Sequence, residues 1–150
     1  MKNINGIWIY GLAGSGKSYA SKMLSNYYKN SFIIDGDDVR NLISFDLSFS
    51  LNDRKIQLQR LFGMAIICIK NNSFPIISSV YMNQKFKKKC SEKKIFLLKI
   101  SRPFEQLKKI RTIYSSNQNI IYEQDYKNLQ TNFIFNDGTP NFNEKLKKYA

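Results

Sequence analysis

The chain has 150 residues, of which 43% are hydrophobic, and its 24 Lys and Arg against 11 Asp and Glu give a formal net charge of +13. This length suits one domain with its own core, so we expect residues 1–150 to form a single domain. The chain has no histidine, which excludes the commonest general base and every histidine-ligated metal site. The lysines are scattered and no nucleic-acid-binding module accompanies them, so we expect no nucleic-acid partner.

The sequence also argues against a membrane protein. No apolar run reaches the length of a membrane-spanning helix, and residues 1–5 leave no room for a signal peptide before the first predicted strand. Cys68 and Cys90 have neither metal-ligand nor CxxC spacing, and Cys68 lies in an apolar helical pattern, where we expect a buried free thiol. These features predict a cytoplasmic protein without a membrane partner.

The first predicted elements surround a glycine-rich loop. Residues 7–10 form an apolar run rich in strand formers, residues 11–18 read GLAGSGKS, and residues 18–24 have helical apolar spacing. The loop fits G-x-x-x-x-G-K-[S/T], whose backbone N–H groups hold phosphates beside a helix N-terminus. The motif therefore predicts an ATP site in which Lys17 reaches the β- and γ-phosphates and Ser18 ligates Mg²⁺. Its predicted ATP-binding residues are Gly11, Ala13, Gly14, Ser15, Gly16, Lys17 and Ser18.

A cluster of carboxylates follows the second predicted strand. Residues 32–34 are apolar and lead into Asp35 and Asp37. Alternating strands and helices predict a parallel sheet, and ligands bind outside the carboxyl ends of such strands. We therefore expect Asp35 and Asp37 to face the transferred phosphoryl group and its magnesium, with Ser18 and Asp35 as the metal-site residues.

The rest of the chain continues the alternation. Residues 41–52 predict a short helix and loop covering the site, and residues 115–119 a mobile loop. The other predicted strands are residues 74–80, 95–100 and 133–135, and the other predicted helices are residues 53–70, 83–94, 104–111 and 142–149. The fold class is therefore α/β: a three-layer P-loop NTPase fold with a five-stranded parallel sheet and helices on both faces.

A family resemblance is carried by residues 35–54. The segments DGDDVR at 35–40, DLSFS at 46–50 and Asp53-Arg54 resemble, without a gap, the D-G-D-x-[VI]-R…D-L-G-F-S-x-x-D-R signature of the adenylylsulphate (APS) kinases. Residues 103–105 resemble the family's P-L-E, and Asp125-Tyr126 its D-Y-E. The resemblance implies transfer of the γ-phosphoryl group of ATP to the 3′-hydroxyl of a nucleoside with an anionic 5′ group.

The resemblance also implies a role for each matching residue. Asp35 would orient the 3′-hydroxyl and accept its proton, or hold a magnesium-bound water, with Asp37 beside it; Lys17 completes the catalytic set. Arg40 and Arg54 would pair with the substrate phosphate, and Phe49 would stack on the base.

Other positions are assigned through the same resemblance. Gln57, which stands where the family has asparagine, would contact the substrate. Lys108, Lys109 and Arg111 would belong to a lid over the phosphates, with Lys109 and Arg111 binding ATP. Family members are often dimers, which implies a homodimer.

Structural alternatives remain for several of these residues. Phe49 could be a core aromatic, Arg40 and Arg54 could form surface ion pairs, and Asp37 could cap a helix. The lid lysines could be a solvated helix face.

The chain departs from the family on the substrate side. Gln57 and Gln59 replace an asparagine and an arginine, residues 80–83 read VYMN after the third strand where the family has S-P-Y-R, and the lid motif K-G-L-Y-K-K-A is missing. These changes favour a different nucleotide, and the related cytidine diphosphoramidate kinases of capsule phosphoramidate synthesis provide one, with adenylylsulphate as the alternative. A non-catalytic nucleotide-binding regulator and a nucleic-acid-binding protein are the other hypotheses.

Overall fold

The computed structural model describes residues 3–115 and 120–150. Within these residues five parallel strands form one sheet in the order β2-β3-β1-β4-β5, and helices cover both faces, which confirms the predicted fold class. The strands are β1 Gly6–Tyr10, β2 Ser31–Asp35, β3 Phe74–Ser79, β4 Ile95–Ser101 and β5 Asn132–Phe135. The helices are α1 Lys17–Ser25, α2 Gly36–Leu42, α3 Leu51–Lys70, α4 Gln84–Glu92, α5 Phe104–Ile110 and α6 Asn141–Lys147, with 3₁₀ turns at Thr112–Ser115 and Glu123–Tyr126.

The central strand β1 separates two apolar layers. Ile7 and Ile9 face the layer covered by α1 and α6, whereas Trp8 and Tyr10 face the layer covered by α2, α3 and α4. All five residues of β1 are buried, because the strand pairs with β3 on one side and β4 on the other. The loop after β1 therefore opens at the carboxyl edge of the sheet, where the strand order reverses and ligands bind in open α/β sheets.

The segment after β2 differs from the sequence expectation. The short helix predicted within residues 41–52 begins earlier, as α2 at Gly36, because the Asp35 carboxylate caps it by accepting a 2.9 Å hydrogen bond from the Asp37 N–H. Residues 43–50 are then a loop, and α3 begins two residues before the predicted start because the Ser50 hydroxyl caps it. The helix thus follows the first carboxylate directly.

Three other expectations concern the cysteines, the loop at residues 115–119 and membrane-spanning helices. Both cysteines are free, but Cys90 is the fully buried thiol whereas Cys68 is only half-buried at the edge of the core, so the expectation of a buried Cys68 is wrong. The loop predicted at residues 115–119 lies, beyond Ser115, outside the described residues. Among the helices that the structure describes, none has the length and apolar character needed to cross a membrane.

Candidate active site

The glycine-rich loop has a backbone conformation that its glycines permit. Gly14 has φ 83° and Gly16 has φ 106°, both in the left-handed region. A Cβ on Gly16 would lie 2.7 Å from Asn136 Nδ2, so a side chain there would clash as well as strain the backbone. Lys17 and Ser18 follow directly, at the start of α1.

Lys17 is held close to the loop backbone. Its Nζ donates a 2.9 Å hydrogen bond to the Leu12 carbonyl. Burial lowers the pKa of Lys17 to about 8. The charge of Arg111 also lowers this pKa, whereas the charges of Asp37 and Asp35 partly offset the effect of burial. The ammonium group is therefore costly to keep charged in the absence of an anion, and a bound phosphate would relieve that cost.

Asp35 and Ser18 come together although they follow different strands. Ser18 Oγ donates a 2.7 Å hydrogen bond to Asp35 Oδ2, while Oδ1 accepts from the Asp37 N–H. Burial alone would raise the pKa of Asp35, but hydrogen bonds from Ser18, the Asp37 N–H and Ser78, together with the charge of Lys17, lower it overall. Asp35 is thus a carboxylate at neutral pH.

Asp37 lies in the first turn of α2, on the cavity side. The cap of this helix is Asp35, so the alternative in which Asp37 serves as the cap is wrong. Its exposed side chain is part of the cavity wall.

Two arginines flank one exposed aromatic ring. Phe49 is 50% exposed, so the alternative of a core aromatic is wrong. The guanidinium carbons of Arg40 and Arg54 lie 4.6 and 5.5 Å from the centroid of the Phe49 ring, within cation–π range. Arg40 Nη1 donates to the Ser48 carbonyl, and Arg54 Nε donates to the Phe49 carbonyl.

The electrostatics of this cluster favour an anion. Arg54 is only 8% exposed, which excludes a surface ion pair for it. Burial lowers the pKa of both Arg40 and Arg54, and the charge of Arg40 lowers that of Arg54 further. Nearby carboxylates, Asp37 and Asp53 for Arg40 and Asp125 for Arg54, offset these effects only in part. Among the described residues Arg40 has no ion pair within 4 Å. Two neighbouring guanidinium groups that repel each other form a site that a phosphate-like group would stabilise.

One cavity of about 650 Å³ joins the loop and the arginine cluster. The predicted residues that line it are Ala13, Gly14, Gly16, Lys17, Ser18, Asp35, Asp37, Arg40, Phe49, Arg54, Gln57 and Arg111. Gly11 and Ser15 are buried residues of the loop and do not line the cavity. Lys109 is exposed and does not line it either. The structure therefore brings together the P-loop, the carboxylates and the predicted substrate residues, and leaves Lys109 apart.

The segment after α5 packs on the P-loop. Tyr114 donates a 2.7 Å hydrogen bond from its hydroxyl to the Ala13 carbonyl, and burial raises its pKa to about 12. Side-chain atoms of Ile110 and Arg111 lie against Gly14. Lys108 instead pairs with Glu105 on the surface, 2.9 Å away. Of the predicted lid cations, Arg111 is the one that reaches the cavity.

Asn136, which sequence reasoning missed, supports the P-loop from beneath. It is 5% exposed, its Nδ2 donates a 2.8 Å hydrogen bond to the Ser15 carbonyl, and its Oδ1 accepts from the Gly138 N–H. A signal existed, because Asn136 directly follows β5 and so lies at the same carboxyl edge that located Asp35.

Comparison with known proteins gives family-level and fold-level matches. A family model described as adenylylsulphate kinase matches residues 4–119. The adenylyl-sulfate kinase of Buchnera aphidicola subsp. Schizaphis graminum is 34% identical over 100 residues, covering 63% of this chain and 47% of the relative. Adenylyl-sulfate kinase 4, chloroplastic, of Arabidopsis thaliana is 45% identical over 74 residues, covering 42% and 24%. The chain thus matches less than half the length of these relatives.

Solved structures show the same fold. An APS kinase from Mycobacterium tuberculosis in complex with AMPPNP and APS superposes with a TM-score of 0.72 at 18% identity, covering 98% of this chain and 96% of that one. A gluconokinase from Sinorhizobium meliloti 1021 has a TM-score of 0.63 at 14% identity, covering 99% and 95%. Because the fold is shared with a gluconokinase, the acceptor has to be argued from the site.

Proposed function

The chain belongs to the adenylylsulphate kinase family, and on this basis we propose that it transfers the γ-phosphoryl group of ATP to the 3′-hydroxyl of a nucleotide with an anionic 5′ group. The observation that supports this most directly is the shared cavity, whose lining includes Lys17 and Ser18 of the P-loop, the carboxylate of Asp35, and the arginines Arg40 and Arg54. A triphosphate donor and an anionic acceptor each have a cationic binding site there.

ATP would bind through the P-loop. Backbone N–H groups and the start of α1 hold the phosphates, and Lys17 gains an anionic partner for its buried ammonium. The oxygens of Ser18 and Asp35, 2.7 Å apart, fit the preference of Mg²⁺ for hard oxygen ligands. Magnesium bound there would neutralise charge on the phosphates.

Asp35 would position the acceptor hydroxyl. It is ionised at neutral pH, because hydrogen bonds outweigh the effect of its burial on its pKa, and it can accept a hydrogen bond and then the proton from the 3′-hydroxyl. Phosphoryl transfer depends mainly on positioning and charge stabilisation, so a weakly basic carboxylate suffices. Asp37 adds negative charge beside it on the cavity wall.

The acceptor nucleotide would bind at the arginine–phenylalanine cluster. The exposed Phe49 ring offers a face for the base, and the guanidinium groups of Arg40 and Arg54 can donate to the anionic 5′ group. Their backbone hydrogen bonds to Ser48 and Phe49 hold both groups in place before the ligand arrives.

Adenylylsulphate is the acceptor that family membership favours. Cytidine diphosphoramidate is the second candidate, and one observation favours it: Asn83, which stands where the family resemblance places the arginine of S-P-Y-R, accepts a hydrogen bond from the Phe86 N–H and caps α4. A cation at that point is thus replaced by a neutral side chain whose oxygen is bound to the helix, which alters recognition of the acceptor.

A side-by-side transfer assay tests the choice of acceptor. If the family preference holds, kcat/KM should be higher for adenylylsulphate. If the segments that depart from the family determine the choice of acceptor, kcat/KM should be higher for cytidine diphosphoramidate. Under single-turnover conditions, transfer to neither would leave the non-catalytic regulator as the better account.

A further inference from the structure

The edge of the sheet opposite the active site has a surface of exposed lysines. In a parallel sheet the chain leaves each strand at the carboxyl edge and returns to the amino edge before the next strand. Exposed lysines lie on the returning ends, in the last turns of α1 and α3 or just after α1, α4 and α6. We call the surface that they form the amino-edge face, and its six lysines are Lys22, Lys29, Lys70, Lys93, Lys94 and Lys148.

Backbone contacts bring these separate segments together. Asn5, just before β1, donates a 2.8 Å hydrogen bond from its N–H to the Lys94 carbonyl and a 3.0 Å hydrogen bond from its side chain to the Lys93 carbonyl. The Phe74 N–H donates a 2.9 Å hydrogen bond to the Asn30 carbonyl, which joins the segment after α3 to the segment after α1. Lysines that are scattered along the sequence therefore share one side of the fold.

The positive charge of this face is not compensated. Within residues 3–115 and 120–150, none of the six ammonium groups forms an ion pair. Two acidic residues lie on the neighbouring helices, Glu92 and Glu144, and Glu144 already pairs with Lys147 at 2.6 Å. The other acidic residues that the structure describes lie in loops or first helical turns at the carboxyl edge. The fold thus separates its lysines from most of its carboxylates.

Helix dipoles account for only part of this surface. A helix dipole stabilises a cation in the last turn, and the effect falls off beyond that turn. Lys22 and Lys70 lie in such turns, whereas Lys29 and Lys94 follow the ends of α1 and α4. The amino-edge face therefore carries more positive charge than its helix ends require.

The kind of cation favours a membrane surface over a nucleic acid. The face carries lysines, which act as compact point charges, whereas arginine is the preferred cation for nucleic-acid recognition. All five arginines of the chain belong to the described residues, and they lie in the segments that follow the carboxyl ends of β2 and β4.

The aromatic residues of this side point the same way. Tyr28 stacks on Phe74 with 4.2 Å between ring centroids, and its hydroxyl donates a 2.5 Å hydrogen bond to the Tyr149 carbonyl. The rings of Phe96 and Tyr149 lie 5.6 Å apart. These rings pack on one another, whereas single-stranded nucleic acids stack on a series of open rings. Tyr27, in the connection after α1, is 51% exposed, and tyrosine is enriched at membrane–water interfaces.

We propose that the amino-edge face docks the protein on the surface of an anionic lipid bilayer, with the active-site cavity directed away from it. This inference goes beyond the phosphoryl transfer proposed above and does not depend on it. Each lysine near an anionic bilayer strengthens binding by about fivefold, so six lysines acting together give reversible, salt-dependent binding. The sequence expectation of no membrane partner rested on the lack of a spanning segment, which surface docking does not need.

Cosedimentation with lipid vesicles tests this docking. The vesicles consist of phosphatidylcholine with or without phosphatidylglycerol, at a salt concentration of about 0.15 M. The amino-edge variant neutralises three lysines of the face: Lys29→Gln, Lys93→Gln and Lys94→Gln. The control variant removes the same net charge from exposed lysines outside the face: Lys55→Gln, Lys85→Gln and Lys127→Gln. Every substituted side chain is exposed, so both variants should fold like the wild type.

The wild type should bind the vesicles that contain phosphatidylglycerol and should not bind those of phosphatidylcholine alone. The amino-edge variant should lose at least about tenfold in affinity, and the control variant should stay within about twofold of the wild type, because charges beyond the Debye length are screened. An absence of wild-type binding to the anionic vesicles would overturn the proposal. An equal loss in the two variants would also overturn it, because net charge alone would then explain the binding.

A single-stranded RNA oligomer at the same salt concentration is the probe for a different polyanion. The proposal predicts that the wild type prefers the anionic vesicles and that the RNA does not displace it from them. Binding to the RNA that the amino-edge variant loses, together with displacement from the vesicles, would assign the face to nucleic acid and overturn the proposal.

Discussion

Ser18 Oγ donates a 2.7 Å hydrogen bond to Asp35 Oδ2 and so joins the end of the P-loop to the end of β2. The two residues are 17 positions apart in the chain, and the parallel order of β1, β3 and β2 brings them together. This pair links the side of the cavity that would hold ATP to the carboxylate that would receive the acceptor hydroxyl.

Asp35→Asn should abolish phosphoryl transfer while ATP still binds. Asparagine keeps an oxygen for the Asp37 N–H but removes the negative charge that accepts the proton. We expect kcat to fall by about 100-fold or more, with little change in ATP affinity measured by calorimetry. Asp38→Asn is the control, since Asp38 is exposed beside the cavity without lining it. Normal turnover by Asp35→Asn would remove its assigned role.

ATP affinity should depend on pH through Lys17. In the ligand-free protein burial lowers its pKa to about 8, and bound phosphates would raise it again. ATP binding therefore takes up a proton above about pH 8, and affinity should be constant below that pH and fall by up to about tenfold per unit above it. Titration calorimetry from pH 7 to 9.5 measures this. Lys17→Met should bind weakly with a flat profile; an unchanged slope in that variant would assign the effect to another group.

Arg54→Lys should weaken binding of the acceptor much more than it slows turnover. Lysine keeps the charge but cannot reproduce the planar two-donor geometry, and loss of charge-assisted hydrogen bonds costs about 1.5–3 kcal/mol. We expect the KM for the acceptor to rise by about 10- to 100-fold. Arg60→Lys is the control, because Arg60 pairs with Asp46 on the surface, where a change has little effect. Equal effects of the two variants would count against an anion site.

Phe49→Ala should reduce acceptor binding without affecting ATP. Base stacking on an aromatic side chain contributes about 1–3 kcal/mol, so kcat/KM for the acceptor should fall by about 5- to 150-fold. Phe45→Ala offers a matched control, since Phe45 is 81% exposed in the same loop and does not line the cavity. If both variants retained wild-type kinetics, the base would have to bind elsewhere.

Asn136→Ala should destabilise the protein and the P-loop together. The change leaves the buried Ser15 carbonyl and the Gly138 N–H without their partner, at a cost of about 1–3 kcal/mol in the free energy of unfolding. Denaturant unfolding and ATP calorimetry measure the two effects. Asn132→Ala, on the exposed edge of β5, should change neither; an ATP affinity unaffected by Asn136→Ala would show that the loop holds its shape without this support.

Much of the fold follows from local sequence. The strands were located within about one residue at each end, because short apolar runs bounded by polar segments are strong signals. The short helix α2 was misplaced, since its start depends on the side chain of Asp35 capping its own chain two residues on. Asp35 is also the last residue of β2, so the sequence pattern there indicates the end of a strand and not the start of a helix.

The site was predicted where its residues lie in contiguous motifs. Lys17, Asp35, Arg40, Phe49 and Arg54 all line the cavity. Asn136 and the hydrogen bond from Tyr114 to Ala13 were missed, because they join residues 121 and 101 positions apart. Sequence pattern alone carries no distance between such residues.

The most direct test of the kinase is a single-turnover reaction with γ-labelled ATP, magnesium and adenylylsulphate. Phosphorus–proton correlation NMR then identifies which ribose position of the product carries the new phosphate. We predict a labelled nucleotide phosphorylated at the 3′ position, with ADP formed in equal amount, and product formation slower by about 100-fold or more with Asp35→Asn. Two results would contradict the account: release of the label only as inorganic phosphate, or failure to transfer it to either adenylylsulphate or cytidine diphosphoramidate.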